Sequence, residues 1–301
     1  MPSASRPSSL EEAAAHLRAA AAEGRRIRIG EDLDTGGLDR ILEHEAGDLT
    51  CTVEAGLPLS ALRAALAPHG QRLSLDPPGD PSVGACLAAN LSGPLRHRFG
   101  APRDLVLGVT LVLGDGTIAS AGGKVVKNVA GYDLGKLVCG SQGKLALIGR
   151  VSLRLHPLPA ASETLVVETP DTAVVAQALL RSQLQPSALD VLHPGRVAVL
   201  FEGSARAVAA QLDTARALVG GSGAGSELWE EVRERQGEAQ GRLRFAPRDL
   251  RNTLSTLREA VVRPAAGVAY VPHPVGGVLP PAVRRLERAV KDALDPQGVL
   301  A

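Results

Sequence analysis

Between Gly122 and Pro157 the chain reads GGKVVKNVAGYDLGKLVCGSQGKLALIGRVSLRLHP, and this stretch has the residue types to hold a charged ligand. Gly122, Gly123, Gly131, Gly140 and Gly143 sit among apolar residues, where the backbone can turn tightly and approach a ligand closely. Lys124, Lys127, Lys136 and Lys144 are four of the five lysines in the chain, which uses arginine almost everywhere else. Four cations in so short a window suit an anion such as a diphosphate, and they equally suit a solvated loop; residue type alone leaves both readings open. Leu145, Leu147, Val151, Leu153 and Leu155 then fall at two-residue spacing, which predicts a half-buried strand fed by the glycine-rich loop.

Other chemistries can be tested on the same residues. Gly131-Tyr132-Asp133-Leu134-Gly135-Lys136 leaves three residues between its glycines where a P-loop needs four, and Leu137 stands where Ser or Thr would hold magnesium. No G-x-G-x-x-G opens a helix after a strand, which argues against a Rossmann nucleotide site. His156, His193 and His273 each precede a proline, a context that suits turns better than acid–base catalysis, and no residue is assigned a catalytic role. Cys51, Cys86 and Cys139 are isolated and form no C-x-x-C pair, so no metal site is expected and each reads as a small core residue of a reducing compartment.

A net charge of +1 makes no case for nucleic acid or an anionic membrane. Met1 to Ser9 is Ser/Pro-rich without an apolar core, and no apolar run approaches the roughly 20 residues that span a bilayer, so a cytoplasmic protein without transmembrane segment or leader is expected. The 301 residues suffice for two domains, each with its own core.

The elements that must position the glycine-rich stretch begin at Ser9-Leu10-Glu11-Glu12, a capping box opening an Ala-rich helix to Glu23. Ile27 and Ile29 predict a short strand, Leu49 to Ala55 a strand, and Leu59 to Leu66 a helix ended by Gly70. Asp76 to Ala85 is too rich in Pro and Gly for a regular element, and Cys86 to Ala89 could make one helical turn. Leu105 to Leu113 is the clearest strand, turned by Gly114-Asp115-Gly116 into Thr117 to Ala121. After Pro157 the order becomes strand 165–168, helix 171–181, strands 188–192 and 197–201, and helix 205–219. Gly220 to Ser226 reads as a flexible loop, Glu227 to Glu238 as a solvated helix, 268–271 as a last strand and 281–294 as a last helix. That predicts a ferredoxin-like order in a second domain, with the boundary at 157: residues 1–157, then 158–301.

Taken in order, GG-K-V-V-K-N-V-A-G-Y-D-L, then G-S-Q-G-K-L-A-L-I, with a fainter echo at Leu294-Asp295-Pro296-Gln297-Gly298-Val299-Leu300, resemble the FAD-binding region of the PCMH-type (vanillyl-alcohol-oxidase-like) flavoproteins, nearest to the FAD-binding E subunits of bacterial glycolate oxidases. The resemblance implies an α/β (α+β) fold: a two-subdomain FAD-binding domain followed by a smaller cap. It implies non-covalent FAD along Pro77, Pro78 and Ser82, Val83, Gly84, Ala85, then Asn90, Ser92 and Gly93, and Gly140, Gly143, Leu145 and Ile148, with Lys124 and Lys127 as counter-charges. Where relatives place a glycine loop for the diphosphate, Arg28-Ile29-Gly30 runs directly into Glu31-Asp32-Leu33-Asp34; two carboxylates there repel the cofactor, so weakened or absent binding is the expectation at this loop.

The cap lacks the His-Gly-Asp-Gly-type motif of the catalytic relatives. The resemblance therefore implies an electron-relay or structural subunit of a glycolate oxidase-like complex, beside a catalytic flavoprotein subunit and an iron–sulfur subunit. A self-sufficient FAD-dependent D-2-hydroxy-acid dehydrogenase and a flavin-free scaffold are the alternatives. Pro94 to Pro102, with Phe99, and Val268 to Val278, with Tyr270, are the stretches expected to meet a partner, unless they pack internally.

Overall fold

The computed structural model describes residues 4–123, 133–277 and 280–301. Helix α1 (Leu10–Ala22) starts where Ser9 Oγ accepts the Glu12 amide, and it buries Leu10, Ala13, Ala14, Leu17 and Ala20 on one stripe. Strands β1 (Ile41–Glu45) and β2 (Thr50–Glu54), helix α2 (Leu59–Leu66) and the short β3 (Gln71–Arg72) follow. Next come α3 (Val83–Ala89), the single-turn helices α4 (Arg96–Phe99) and α5 (Pro102–Leu105), the hairpin β4 (Val106–Val112) and β5 (Ile118–Gly122), and α6 (Leu134–Val138). Strand β6 (Leu147–Arg154) alternates buried Leu153 and Val151 with half-buried Ser152 and Arg150, as its two-residue spacing requires. Among the described residues these strands form one sheet in the order β1-β2-β6-β4-β5, with every pairing antiparallel.

After β7 (His156–Pro157), which pairs with β3, the chain builds a second sheet. Its elements are β8 (Ala161–Glu168), α7 (Thr172–Arg181), β9 (Ala188–His193), β10 (Arg196–Gly203), α8 (Ala205–Val219) and β11 (Ser222–Ala224). Then come α9 (Glu227–Gly237), β12 (Gly241–Arg244), α10 (Leu250–Thr256), β13 (Ala260–Arg263), β14 (Val268–Val271) and α11 (Pro281–Leu294). The sheet order is β11-β8-β10-β9-β13-β14-β12. Its first four strands make the ferredoxin-like arrangement, with β10 antiparallel to both β8 and β9.

Three expectations need correction. Val83 to Ala85 is not irregular: α3 starts at Val83, because Ser82 Oγ accepts the Ala85 amide and caps it. Gly220 to Ser226 is not wholly loop: β11 pairs with β8 over Ser222–Ala224, because an exposed edge of β8 offers hydrogen bonds that small residues can take without a clash. Glu227 to Gly237 is not a freely solvated helix, since Leu228, Trp229, Val232 and Gln236 are buried and the Trp229 indole donates to Thr164 Oγ1 at 2.9 Å.

The chain's end returns to its beginning. Leu300 bridges Ile27 in parallel, and Val299 and Leu300 lie in one apolar cluster with Leu10, Leu17, Leu33, Val112 and Leu147. Between the two sheets, Arg72 forks onto Glu202 with two bonds of 2.7 Å. The buried Arg263 and Gln236 both donate to the Ser92 carbonyl, at 3.2 and 2.9 Å.

Candidate cofactor site

A cleft of about 270 Å³ opens where three separated segments meet. Ile29, Gly30 and Thr35 come from the turn after α1; Ser82, Gly84, Ala85, Ala88 and Ala89 from α3 and its cap; Gln142, Gly143, Ala146 and Ile148 from the approach to β6. Side chains on this lining are mostly small, so it exposes backbone. The segments are tied together by backbone bonds: Gly140 N and Gln142 N donate to the Leu87 and Ala88 carbonyls at 2.9 and 2.8 Å. Gly143 has φ +75°, and a Cβ there would stand 3.0 Å from Ile29 Cβ, so a larger residue would be strained and would press on the facing wall.

Of the residues singled out in the sequence, Ser82, Gly84, Ala85, Gly143 and Ile148 line this cleft. Val83 lies beneath it in the core, and Leu145 is half-buried beside it. Asn90 ends α3 with φ +51°, next to Gly140. Pro77 is buried, while Pro78 lines a separate cleft with Gly79, Glu230, Arg233 and Glu234. Ser92 is a joint between the two sheets, and Gly93 packs so closely on Asp76 that a Cβ would fall 1.7 Å from the Asp76 carbonyl oxygen. Lys124 and Lys127 lie outside the described residues. Lys136 pairs with Asp133 at 2.8 Å, and Lys144 is exposed. Ile29, Gly30, Thr35, Ala88 and Ala89 were not anticipated as lining, whereas Gln142 and Ala146 fall within the stretch from Gly140 to Ile148 along which FAD is expected; alanines repeating along an α3 that ends in a left-handed Asn were the available signal.

The turn at Gly30 is closed on itself. The amides of Gly30, Glu31, Asp32 and Leu33 donate to the Leu33 and Arg28 carbonyls, and that of Asp34 to the Ser5 carbonyl at 2.8 Å. Its acidic residues face Arg28 instead of the cleft: Asp32 accepts the Arg28 amide at 2.8 Å and its side chain at 3.3 Å, and Glu31 pairs with the same guanidinium. The Arg28 bonds hold the Asp32 carboxyl below its usual range. The α3 end is similarly engaged, since Val83 N, Gly84 N and Ala85 N donate to Leu57 O, Ala55 O and Ser82 Oγ. Two buried side-chain oxygens, Asn90 Oδ1 and Ser141 Oγ, lack partners; their residues adjoin the lining residues Ala89 and Gln142 in sequence but do not themselves line the cleft. A trough of small residues fits a flat ligand.

The histidines stand elsewhere. His156 stacks on Phe99 with ring centroids 4.6 Å apart, and burial lowers its pKa; His193 contacts the Leu257 carbonyl at 3.1 Å; His273 is exposed. Burial pushes the Cys51 and Cys86 thiols up to about 12, which leaves them unreactive. Phe99 also lies under Arg72, and Tyr270 stacks on Arg263, so both anticipated partner anchors pack internally. No helix among the described residues is long and apolar enough to cross a membrane.

Residues 29–122 match the family described as FAD binding domain. Two crystal forms of alkyldihydroxyacetonephosphate synthase share the fold with TM-scores of 0.72 and 0.73 at 17% and 16% identity, covering 98% of this chain and 74–75% of theirs. The chain therefore has the mixed α/β, PCMH-type FAD-binding fold of the flavoproteins. Within it, the chain is similar to glycolate oxidase subunit GlcE of Escherichia coli, 34% identical over 212 residues that make up 69% of this chain and 59% of that protein. It is also similar to D-lactate dehydrogenase [cytochrome] 1 of Saccharomyces cerevisiae (32% identity, 52% of this chain and 27% of that one). A third relative is the D-2-hydroxyglutarate dehydrogenase of Xanthomonas citri (34% identity, 51% and 33%). The chain thus spans about three-fifths of the first of these relatives and a third or less of the other two.

Proposed function

We propose that this chain is the FAD-binding subunit of a complex that oxidises a 2-hydroxy acid, glycolate to glyoxylate, and that it relays electrons or holds its neighbours while a second flavoprotein subunit performs the oxidation and an iron–sulfur subunit carries the electrons on. Residues 1–157 are the FAD-binding domain and 158–301 the cap, with the tail beyond Asp295 returning to the first. The reading is carried by one observation: three segments distant in sequence converge on a small-residue cleft, and two of the three lie inside the matched FAD-binding region. Two curated relatives are named for D-2-hydroxy acids, which supports the substrate class.

FAD bound non-covalently here would supply a two-electron acceptor. Gly84, Ala85, Ala88 and Ala89 leave room for a flat group against α3, and Asn90 and Ser141, next to the lining residues Ala89 and Gln142, would offer it their unpartnered oxygens. The turn from Arg28 to Asp34, shortened against its relatives, offers the diphosphate no spare amide from Gly30 to Asp34, so binding is weaker than in a flavoprotein with an open glycine loop. That same observation favours a second reading, a flavin-free scaffold subunit.

Reconstitution decides between them. Purified protein, incubated with FAD and freed of excess, should show flavin absorbance. Asn90→Gly keeps the left-handed backbone while removing the unpartnered oxygen; it should bind FAD roughly tenfold more weakly with no loss of melting temperature. Wild-type protein without flavin bands after reconstitution means the scaffold reading is right.

A further inference from the structure

Helix α11 runs fourteen residues, PAVRRLERAVKDAL, and buries none of them. The comparable α8 buries Val208, Leu212 and Ala215, and α1 buries five residues. The bare surface of α11 is not polar all round. At 3.6 residues per turn, Ala282, Val283, Leu286, Ala289, Val290, Ala293 and Leu294 fall on one continuous arc of about 140°. Every charged residue falls on the remainder. Leu286 is 65% exposed and Val283 39%, and the three alanines are exposed with them. Such an arc in water is unfavourable unless something covers it.

The charged flank is also incomplete. Arg284, Arg285 and Arg288 line an open trough of about 500 Å³ with Pro281, Ala289 and Asp292, and among the described residues none of these arginines has an ion pair. Among the described residues the side-chain bonds that fasten the helix lie toward its end. Lys291 Nζ donates to the Lys144 and Leu300 carbonyls at 2.6 Å and to Asp295, whose carboxylate also caps the Val299 and Leu300 amides. Lys144 follows Gly143 of the cleft. The bare face is thus anchored one residue from the cofactor site.

We propose that α11 is the seat of a protein partner, one that lays an apolar helix face or groove on Ala282, Leu286, Ala289 and Ala293 and sets carboxylates against Arg284, Arg285 and Arg288. Small side chains on the arc let a partner backbone come close, and arginine is the cation favoured at protein interfaces. Three of the seven residues on the arc are alanines and none is aromatic, a shallower apolar face than the bulky one of a helix built to lie on lipid. A second copy would offer Glu287 and Asp292 as the helix's carboxylates against three arginines, too few to compensate them. The proposal rests on the subunit reading above and names the surface by which that subunit is held.

The test uses full-length chain with the catalytic-type flavoprotein and iron–sulfur subunits of the same organism, purified and mixed. Leu286→Asp, and separately Arg284→Glu/Arg285→Glu/Arg288→Glu, should each weaken assembly at least about tenfold, or ~1.4 kcal/mol, with the free chain's melting temperature unchanged. The charge-reversed variant should also lose most of the salt dependence of binding. Wild-type assembly that both variants retain sinks the inference and leaves the subunit reading standing. A wild-type chain that binds neither subunit removes both. Melting lowered by Leu286→Asp would mean that the arc packs within its own chain. Loss of phosphatidylglycerol-vesicle binding, or of self-association in sedimentation, with partner assembly intact would assign α11 to lipid or to a second copy instead.

Discussion

Asp76 opens the proline-rich segment that leads into the α3 cap, and its carboxylate accepts the Leu95 amide at 3.1 and 3.3 Å. Arg263, Arg233 and Asp190 bear on it, and burial raises its pKa to about 7 against the opposing pull of Arg263, the Leu95 bond and Arg233. The unfolded value is near 3.8, so the folded chain binds this proton more tightly. Stability contributed by that proton is complete below about pH 4 and is lost as pH rises toward 7, at no more than about 1.4 kcal/mol per pH unit. Glu54 and Glu231, held low chiefly by the Arg40 and Arg196 side chains, act in the opposite sense and only in more acid solution. Asp76→Asn keeps an oxygen for Leu95 and removes the titration. Its melting temperature relative to wild type should climb between pH 5 and pH 8, and a difference that stays flat with pH contradicts the assignment. Nothing in the sequence marks Asp76 among the many aspartates of loops, because what sets it apart is burial in the folded chain.

Elements with a strong period were legible. Helix 205–219 has the bounds its pattern predicts, and 147–154, 106–112 and 188–193 follow from alternation or apolar runs. Those that depend on a neighbour were not. Ser222–Ala224 is a strand only because β8 has a free edge, and Gly241–Arg244, with two exposed arginines, is a strand only because β14 lies beside it. The small-residue cleft was partly legible for the same reason: Ser82, Gly84, Ala85 and Gly143 belong to a recognisable motif, whereas Ala88 and Ile29 come to it through tertiary contacts, the Gln142 amide on the Ala88 carbonyl and Ile29 against Gly143. The final Val299-Leu300 shows how such an element can be tested. Leu300 is 2% exposed, pairs with Ile27 and shares a cluster with Leu10 and Leu147, although it is the penultimate residue. Leu300→Ala should cost about 2–5 kcal/mol in urea unfolding, as for a core leucine; a cost near zero would show the tail to be peripheral.

At the scale of the molecule, the two sheets are held in register by a joint that the sequence did not announce. Arg263 on β13 is 1% exposed and donates to Asp190 Oδ2 on β9 at 3.2 Å, to the Ser92 carbonyl of the first half at 3.2 Å, to Tyr270 Oη at 3.2 Å and to Gln236 Oε1. Its guanidinium also lies 5.1 Å from the Tyr270 ring centroid. Asp190 is wholly buried, its second oxygen has no partner, and burial raises its pKa despite Arg263. An ion pair in that setting is held together by mutual need more than by net gain, because desolvating both charges offsets most of their attraction. Arg263→Met should therefore cost about 3–5 kcal/mol, since it strands Asp190 and releases Ser92, whereas Arg263→Met with Asp190→Leu should recover most of that loss. Calorimetry should show the single variant unfolding in two separated transitions, because the buried joint is lost while Arg72–Glu202, the Gln236–Ser92 bond, the Lys291 and tail contacts and apolar packing are, among the described residues, what remains to couple the halves. A single variant that unfolds in one transition within about 1 kcal/mol of wild type would place the coupling elsewhere and leave Arg263 an internal residue of the second sheet.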